Sequence, residues 1–234
     1  MRNILITGSN RGLGLEFARQ YLSEGYRVIG TCRKPQDASE LDRLSYRYPG
    51  NLYVLPLDVD NHQRILQLPS EVSGLTDRLD LLINNAGVFP PNRFDSVTAD
   101  QIVHAFRVNC VSPFLIIRAF RRLLKRSDRP LVVNISSLLA SISTGAGLGS
   151  WADYAYGPSK AALNRMVRQL AIDLRPDGIT VVAQNPGWVQ TDMGGPEAPL
   201  SPPEAVAILR RLFDRLTMQD TGRVLEPNGS DAPW

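Results

Sequence analysis

Short apolar runs alternate along the whole chain with longer segments in which apolar residues return every third or fourth position. The runs lie at 4–7, 28–32, 52–56, 79–84, 132–136, 180–184 and 223–225 and predict strands, because strands of a covered parallel sheet are apolar on both faces. The periodic segments predict helices at 13–24, 38–46, 63–72, 98–124, 154–174 and 202–216, with Pro69 weakening the third. Strand and helix in regular alternation predict an α/β domain, a seven-stranded parallel sheet flanked by helices on both faces. No shift in composition divides the chain, so residues 1–234 are read as one domain.

The last helix has the clearest start. Ser201 can cap it, Pro202 suits its first position and Glu204 completes a Ser-x-x-Glu capping box. Just ahead of it, the Gly-Gly-Pro-Glu-Ala-Pro stretch at 194–199 favours irregular chain. A substrate loop over about 192–203 and a plain connector both satisfy that composition.

Composition narrows the class without naming a function. With 43% hydrophobic and 21% charged residues, the chain has the balance of a soluble globular protein able to bury a sizeable core. The net charge of +3 is too small to call for nucleic acid, though it suits an anionic ligand. The densest basic stretch, Arg118, Arg121, Arg122, Lys125, Arg126 and Arg129, falls near the end of the longest helix, where cations complement the macrodipole. No aromatic residues interleave it for base stacking, and no nucleic-acid partner is expected. Cys32 and Cys110 lack CxxC spacing, and His62 and His104 stand alone, so buried thiols and no metal site are expected. The first strand opens beside Met1, leaving no room for a signal peptide, and no apolar run is expected to reach membrane-spanning length. A cytoplasmic protein without a membrane partner is the expectation.

Candidate chemistry begins directly after the first strand, at Thr7-Gly8-Ser9-Asn10-Arg11-Gly12-Leu13-Gly14. Glycines here allow a tight turn, close backbone approach to a pyrophosphate, and packing of the next helix on the strand. The helix start adds N–H groups and a positive dipole end. Strand, turn and helix together predict a dinucleotide site on a Rossmann-type three-layer sandwich. The second strand ends in Thr31-Cys32-Arg33-Lys34, with no carboxylate to accept from a ribose 2′-hydroxyl. Arg33, joined by Arg11 from the glycine turn, suits a 2′-phosphate instead, which favours NADP(H) over NAD(H).

A second cluster is Tyr156-Gly157-Pro158-Ser159-Lys160. Tyrosine and lysine four apart on a helix share a face, and a nearby ammonium is expected to lower the phenol pKa and make a working acid/base. Proline is tolerated only in a helix's first turn, so the helix should start close to Tyr156 or bend there. Upstream, Asn134-Ile135-Ser136-Ser137 ends the fifth strand, at the sheet edge where α/β domains bind ligands, and both serines are candidates.

Three more runs follow in order: Asn84-Asn85-Ala86-Gly87 after the fourth strand, Val108-Asn109-Cys110 in the long helix, and Pro186-Gly187-Trp188-Val189-Gln190-Thr191 after the sixth strand. With the Gly8-x-x-x-Gly12-x-Gly14 spacing and the Tyr156/Lys160 pair, they make the chain resemble the short-chain dehydrogenase/reductase family over nearly its whole length. The resemblance implies a catalytic tetrad of Asn109, Ser137, Tyr156 and Lys160. In such a tetrad Tyr156 donates a proton to a carbonyl oxygen as the nicotinamide delivers hydride to carbon, and Ser137 orients that oxygen. Lys160 holds the nicotinamide ribose and tunes the tyrosine, while Asn109 keeps a water in the proton path. The resemblance also implies cofactor contacts from Gly8, Asn10, Arg11, Gly12, Leu13 and Gly14, and from Asp58 and Val59 beside adenine. Asn85, Ala86 and Gly87 would line the cofactor, with Pro186, Gly187, Val189 and Thr191 at its carboxamide end.

The segment 138–155 is longer than in many members, and with Trp188-Val189-Gln190-Thr191-Asp192-Met193 it resembles the carbonyl-reductase and C-factor branch. Leu138, Trp151, Tyr154, Trp188 and Met193 flank the tetrad and either line an apolar pocket or pack in the core. The expected activity is NADPH-dependent reduction of an apolar ketone or aldehyde. The C-factor resemblance leaves open a regulatory protein that binds the dinucleotide with little or no turnover. Because family members often pair through their long central helices, a homodimer is expected.

Overall fold

The computed structural model describes residues 1–90, 94–144 and 153–234. Its strands β1 (Asn3–Thr7), β2 (Arg27–Cys32), β3 (Leu52–Pro56), β4 (Leu81–Asn84), β5 (Leu131–Ile135), β6 (Thr180–Gln184) and β7 (Val224–Leu225) run parallel in the order β3-β2-β1-β4-β5-β6-β7. The order reverses between β1 and β4, which opens a crevice beyond their carboxyl ends. Side chains sort between the two faces with a period of two. Ile4, Ile6 and Val28 join one apolar layer, and Leu5 and Ile29 the other.

Helices α1 (Gly12–Ser23), α2 (Ser39–Arg47) and α7 (Pro202–Phe213) cover the first face, where Phe17 stacks on Phe213 with centroids 5.9 Å apart. The second face is covered by α3 (His62–Ser73), α4 (Ala99–Phe106), α5 (Ser112–Leu124) and α6 (Tyr156–Asp173). This is the Rossmann-type sandwich that the alternation of elements predicts. Helix α7 starts as predicted, with the Ser201/Glu204 capping box formed and Pro202 in its first turn.

Several elements depart from the sequence expectation for local reasons. β4 begins at Leu81, because the Leu79 N–H donates to the Leu123 carbonyl at the end of α5. Helix α3 runs straight through Pro69 to Ser73. An interior proline costs about 3 kcal/mol, but burying an aliphatic side chain returns roughly 2 kcal/mol. Ile65, Leu68 and Val72 on the inner face of α3 are all completely buried, so packing outweighs the lost hydrogen bond.

The helix expected over 98–124 is divided by a π turn, Arg107–Val111, between α4 and α5. Pro113 has no N–H to offer the Asn109 carbonyl. The Ser112 N–H reaches back instead to the Arg107 carbonyl, and Ser112 Oγ donates to the carbonyls of Arg107 (2.7 Å) and Val59 (2.6 Å). The widened turn carries Asn109 and Cys110 into the interior.

Taken together, Ala99–Leu124 is long and apolar enough by length and composition to cross a membrane, which corrects the expectation that no run would be. Here its apolar side, Val108, Ile116, Ile117, Phe120, Leu123 and Leu124, is buried in the core. The basic stretch at its end is engaged within the fold. Arg121 and Lys125 pair with Asp177, Arg126 donates to the Asp77 carbonyl, and Arg129 donates to the carbonyls of Asp214 and Leu216.

Replacing Pro69 by Ala restores a donor to the Ile65 carbonyl at little cost in packing. A gain of about 1–2 kcal/mol in unfolding free energy is expected in urea denaturation, and a loss would show that the proline is structurally required.

Candidate active site

The glycine turn after β1 is shaped by backbone that only glycine adopts without strain, with φ of +66° at Gly8 and +55° at Gly12. A Cβ on Gly14 would sit 2.2 Å from the Gly8 carbonyl oxygen and 2.6 Å from Asn85 Nδ2, so the helix start and the turn are in direct contact. Asn85 Nδ2 donates to the carbonyls of Thr7 (2.9 Å) and Gly8 (3.1 Å), and Thr7 Oγ1 accepts from the N–H groups of Asn85 and Ala86, each at 3.0 Å. Asn85, expected to line a cofactor, spends its amide on holding the turn. Helix α1 opens at Gly12 behind an exposed Asn10 and Arg11, and no side chain caps it. An uncapped helix start carries roughly half a positive charge, and with the bare glycine cradle it fits a pyrophosphate.

At the neighbouring edge Arg33 is exposed and makes no ion pair among the described residues, while Lys34 lies 3.9 Å from Asp37. Asp58 is exposed and accepts from the Asp60 N–H. Val59 turns its side chain into the core and its carbonyl to Ser112, which leaves only backbone to offer a ligand. Arg11, expected beside Arg33, is instead paired at 2.5 Å with Asp192, in the segment after β6.

That segment is closely tied. Val189 bridges to Leu200, the Gln190 N–H donates to the Leu200 carbonyl, and Trp188 Nε1 donates to the Gly194 carbonyl. Thr191 Oγ1 accepts from the Gly194 N–H, and a Cβ on Gly194 would lie 2.1 Å from the Val189 carbonyl oxygen. Residues 192–203 thus begin as a hydrogen-bonded lobe that follows the turn at Gly187 (φ +82°), beside the half-buried Pro186. The Thr191 methyl comes within 3.4 Å of the position of a Cβ on Gly12, bringing the lobe over the start of α1.

Helix α6 starts at Tyr156 with Pro158 in its first turn, as proline chemistry requires. Lys160 Nζ, one turn along, donates to the Ile135 carbonyl at 2.7 Å and lies 5.7 Å from the centroid of the Tyr156 ring. The Ser137 hydroxyl lies close enough to the Tyr156 phenol to act on its pKa. Ser136 points elsewhere, donating to Asn164 Oδ1 at 2.6 Å inside the core, which leaves Ser137 as the serine beside the phenol. Asn109 Oδ1 accepts from the Val88 N–H (2.9 Å), and its Nδ2 donates to the Val88 carbonyl (2.9 Å) and Ser159 Oγ (3.0 Å). Ser159 in turn donates to the Tyr156 carbonyl at 2.6 Å. Asn109 therefore braces both the loop after β4 and the base of α6. Gly87 lies between, since a Cβ there would be 3.1 Å from Asn109 Oδ1 and 3.7 Å from Lys160 Nζ.

Electrostatics correct one expectation. Tyr156 and Lys160 are only 8% and 4% exposed, and burial dominates both. It pushes the Tyr156 phenol up to about 12, with the Asp153 charge acting in the same direction and the Ser137 hydrogen bond against it. It pulls the Lys160 ammonium down to about 8, with Cys110 opposing. The ammonium lies over the ring, 5.7 Å from its centroid, and donates to Ile135, yet burial outweighs it and the phenol pKa rises rather than falls as the spacing suggests. Tyr156 keeps its proton at neutral pH, the state that a proton donor needs.

Phe89 packs on Tyr156 with ring centroids 4.7 Å apart, and Phe94 on Tyr154 at 5.8 Å. Leu138, Tyr154, Trp188 and Met193 are all exposed, which excludes core packing for them, while Trp151 lies outside the described residues. Sequence reasoning passed over Phe89, Asp153, Ser159 and Asp192. Asp153 carried a usable signal, a carboxylate just ahead of a helix start; the other three depend on contacts across the fold.

Because Lys160 binds its proton more weakly folded (about 8) than unfolded (10.5), its charge costs about 3 kcal/mol of stability below pH 8. That cost declines as the pH rises from about 8 to 10.5. Lys160→Met should thus be more stable than the parent at pH 7, with the difference vanishing by pH 10.5 in denaturation series. A destabilised variant at pH 7 would contradict this.

Comparison with known proteins agrees with the geometry. A profile described as short chain dehydrogenase matches residues 2–199. C-signal of Myxococcus xanthus is 37% identical over 160 residues, 68% of this chain and 95% of its own. The carbonyl reductase Sniffer of D. melanogaster superposes with a TM-score of 0.94 at 33% identity, over 100% of both chains. The NADPH-bound carbonyl reductase from chicken fatty liver gives 0.93 at 34% identity, over 100% of this chain and 99% of its own. With its glycine turn and its Ser137, Tyr156 and Lys160 assembled as these residues demand, the chain belongs to the short-chain dehydrogenase/reductase family, in the branch of the carbonyl reductases and C-signal.

Proposed function

We propose that the protein reduces an apolar ketone or aldehyde to an alcohol with NADPH. The observation that carries this reading is the buried phenol of Tyr156, protonated at neutral pH, with Ser137 beside it and Lys160 one turn along the same helix. A bound nicotinamide supplies the hydride. The chain's own residues do the remainder. The first turn of α1 and the glycine cradle hold the pyrophosphate, and Arg33 takes the 2′-phosphate, joined by Arg11 when Arg11 leaves Asp192. Lys160 holds the ribose, and Thr191 with the Val189 backbone holds the carboxamide. Ser137 orients the substrate oxygen, and the Tyr156 O–H donates its proton to it. Asn109 positions Tyr156 through Ser159. Phe89, Leu138, Tyr154, Trp188 and Met193 offer an apolar surface to the substrate's substituents.

Similarity to C-signal supports a second reading, a regulatory protein that binds the dinucleotide with little turnover. The paired placement of Ser137 and Lys160 on Tyr156 favours turnover, since binding alone has no use for a proton donor. On the favoured reading the partners are the dinucleotide and a small carbonyl or alcohol. The protein would work in the cytoplasm, as a homodimer, without nucleic acid or membrane.

NADPH oxidation measured against ketones, aldehydes and quinones should reveal a substrate, and Tyr156→Phe should lower kcat/KM by roughly 10³-fold. Equal rates in the variant would exclude Tyr156 as the donor. Arg33→Ala should weaken NADPH binding about tenfold while leaving NADH binding unchanged, measured by fluorescence titration. An unaltered NADPH/NADH ratio would remove Arg33 from cofactor choice.

A further inference from the structure

Asp153 stands just ahead of α6, outside the helix, and its carboxylate is turned back onto the helix start. Both of its oxygens lie 2.8 Å from the Gly157 nitrogen, and Oδ1 also accepts from the Ala155 N–H at 3.0 Å. The residue flanking α6, Ala155, provides no side-chain cap of its own. A carboxylate on free N–H groups at a helix start is favoured by both hydrogen bonding and the dipole. Where a Cβ would stand, Gly157 also meets the Leu138–Ala140 turn, which follows Ser137. A Cβ on Gly157 would lie 2.8 Å from Asp153 Oδ2 and 2.6 Å from the Leu139 carbonyl oxygen, so this packing exists only because residue 157 is glycine.

We propose that Asp153 is a positioning residue for the Tyr156 proton donor, clasping the first turn of α6 against the Ser137 turn so that the phenol meets the Ser137 hydroxyl. The proposal rests on the reductase reading given above. The same carboxylate also raises the Tyr156 pKa, in the direction of burial. The groups facing the phenol are Asp153 ahead of α6, Lys160 on α6, Ser137 after β5 and Phe89 after β4, with Cys110 of the π turn beside Lys160. Loss of the proton leaves a phenolate near a carboxylate, so Asp153 favours the protonated phenol.

The test compares wild type, Asp153→Asn, Asp153→Ala and Tyr156→Phe as full chains. Tyrosinate absorbance, referenced to Tyr156→Phe, reads the phenol without turnover. It should move to lower pH by about one unit in both Asp153 variants, the size of one partly screened charge nearby. With 4-nitrobenzyl alcohol and NADP⁺, the alkaline rise of the oxidation rate should move by the same amount. With 4-nitrobenzaldehyde and NADPH at neutral pH, kcat should fall about threefold in Asp153→Asn and tenfold or more in Asp153→Ala, with the KM for NADPH unchanged. Asparagine retains one acceptor for the Gly157 N–H, which separates loss of charge from loss of the clasp. An unmoved phenol titration, or a kcat equal to wild type in Asp153→Ala, overturns the proposal even if Tyr156→Phe is inactive. If wild type turns over neither probe nor any other carbonyl, the reductase reading falls, and the phenol titration still decides the role of Asp153.

Discussion

Lys160 brings an ammonium into the interior with the Ile135 carbonyl, 2.7 Å away, to receive it. Taking such a charge out of water is costly, and much of the surrounding structure is arranged around that cost. The bond fixes α6 to the end of β5, and it sets Tyr156, one turn back, beside Ser137, two residues beyond Ile135. Next to the ammonium, Gly87 leaves room for the Asn109 amide, 3.1 Å from where a Cβ would stand, and the π turn carries Asn109 and Cys110 into the interior. The π turn follows from Pro113, whose missing N–H denies Asn109 an ordinary helical bond.

The polar residues around the crevice divide into two kinds. Thr7, Asn85, Asn109, Ser136 and Ser159 are saturated with protein partners and hold backbone in place. The start of α1 has no side-chain cap, Arg33 is exposed, and the Tyr156 phenol has Ser137 beside it, groups suited to a ligand. This division explains how a site built mainly on loops after strands keeps a defined shape: each loop is tied by a buried side chain from a different element. The Arg11–Asp192 pair joins the glycine turn to the lobe after β6, but it is exposed on both sides, so it contributes little to stability and can exchange for an anionic ligand.

Much of the architecture was legible in the sequence. Apolar runs located all seven strands to within two residues at each end, and the capping box of Ser201 and Glu204 located the start of α7. The glycine turn and the Tyr156/Lys160 spacing were legible because they depend on local backbone geometry. Reading failed where distant packing outweighed a local rule. Pro69 did not weaken α3, because the buried face of Ile65, Leu68 and Val72 outweighed it. The break in the long helix was written in Pro113, but hydrophobic period alone carries across it.

By itself the sequence determined the order and type of the elements, the glycines that a left-handed turn requires, and the placing of a phenol and an ammonium on one helical face. These depend on neighbours within a turn of helix or a few residues of strand. Only the tertiary structure decided that Ser137 rather than Ser136 meets the phenol, that Arg11 pairs with Asp192, and that Tyr156 is pushed up rather than down in pKa. Burial and through-space charge arise from many residues distant in the chain, so the sign of such a shift is set when the fold closes around the group.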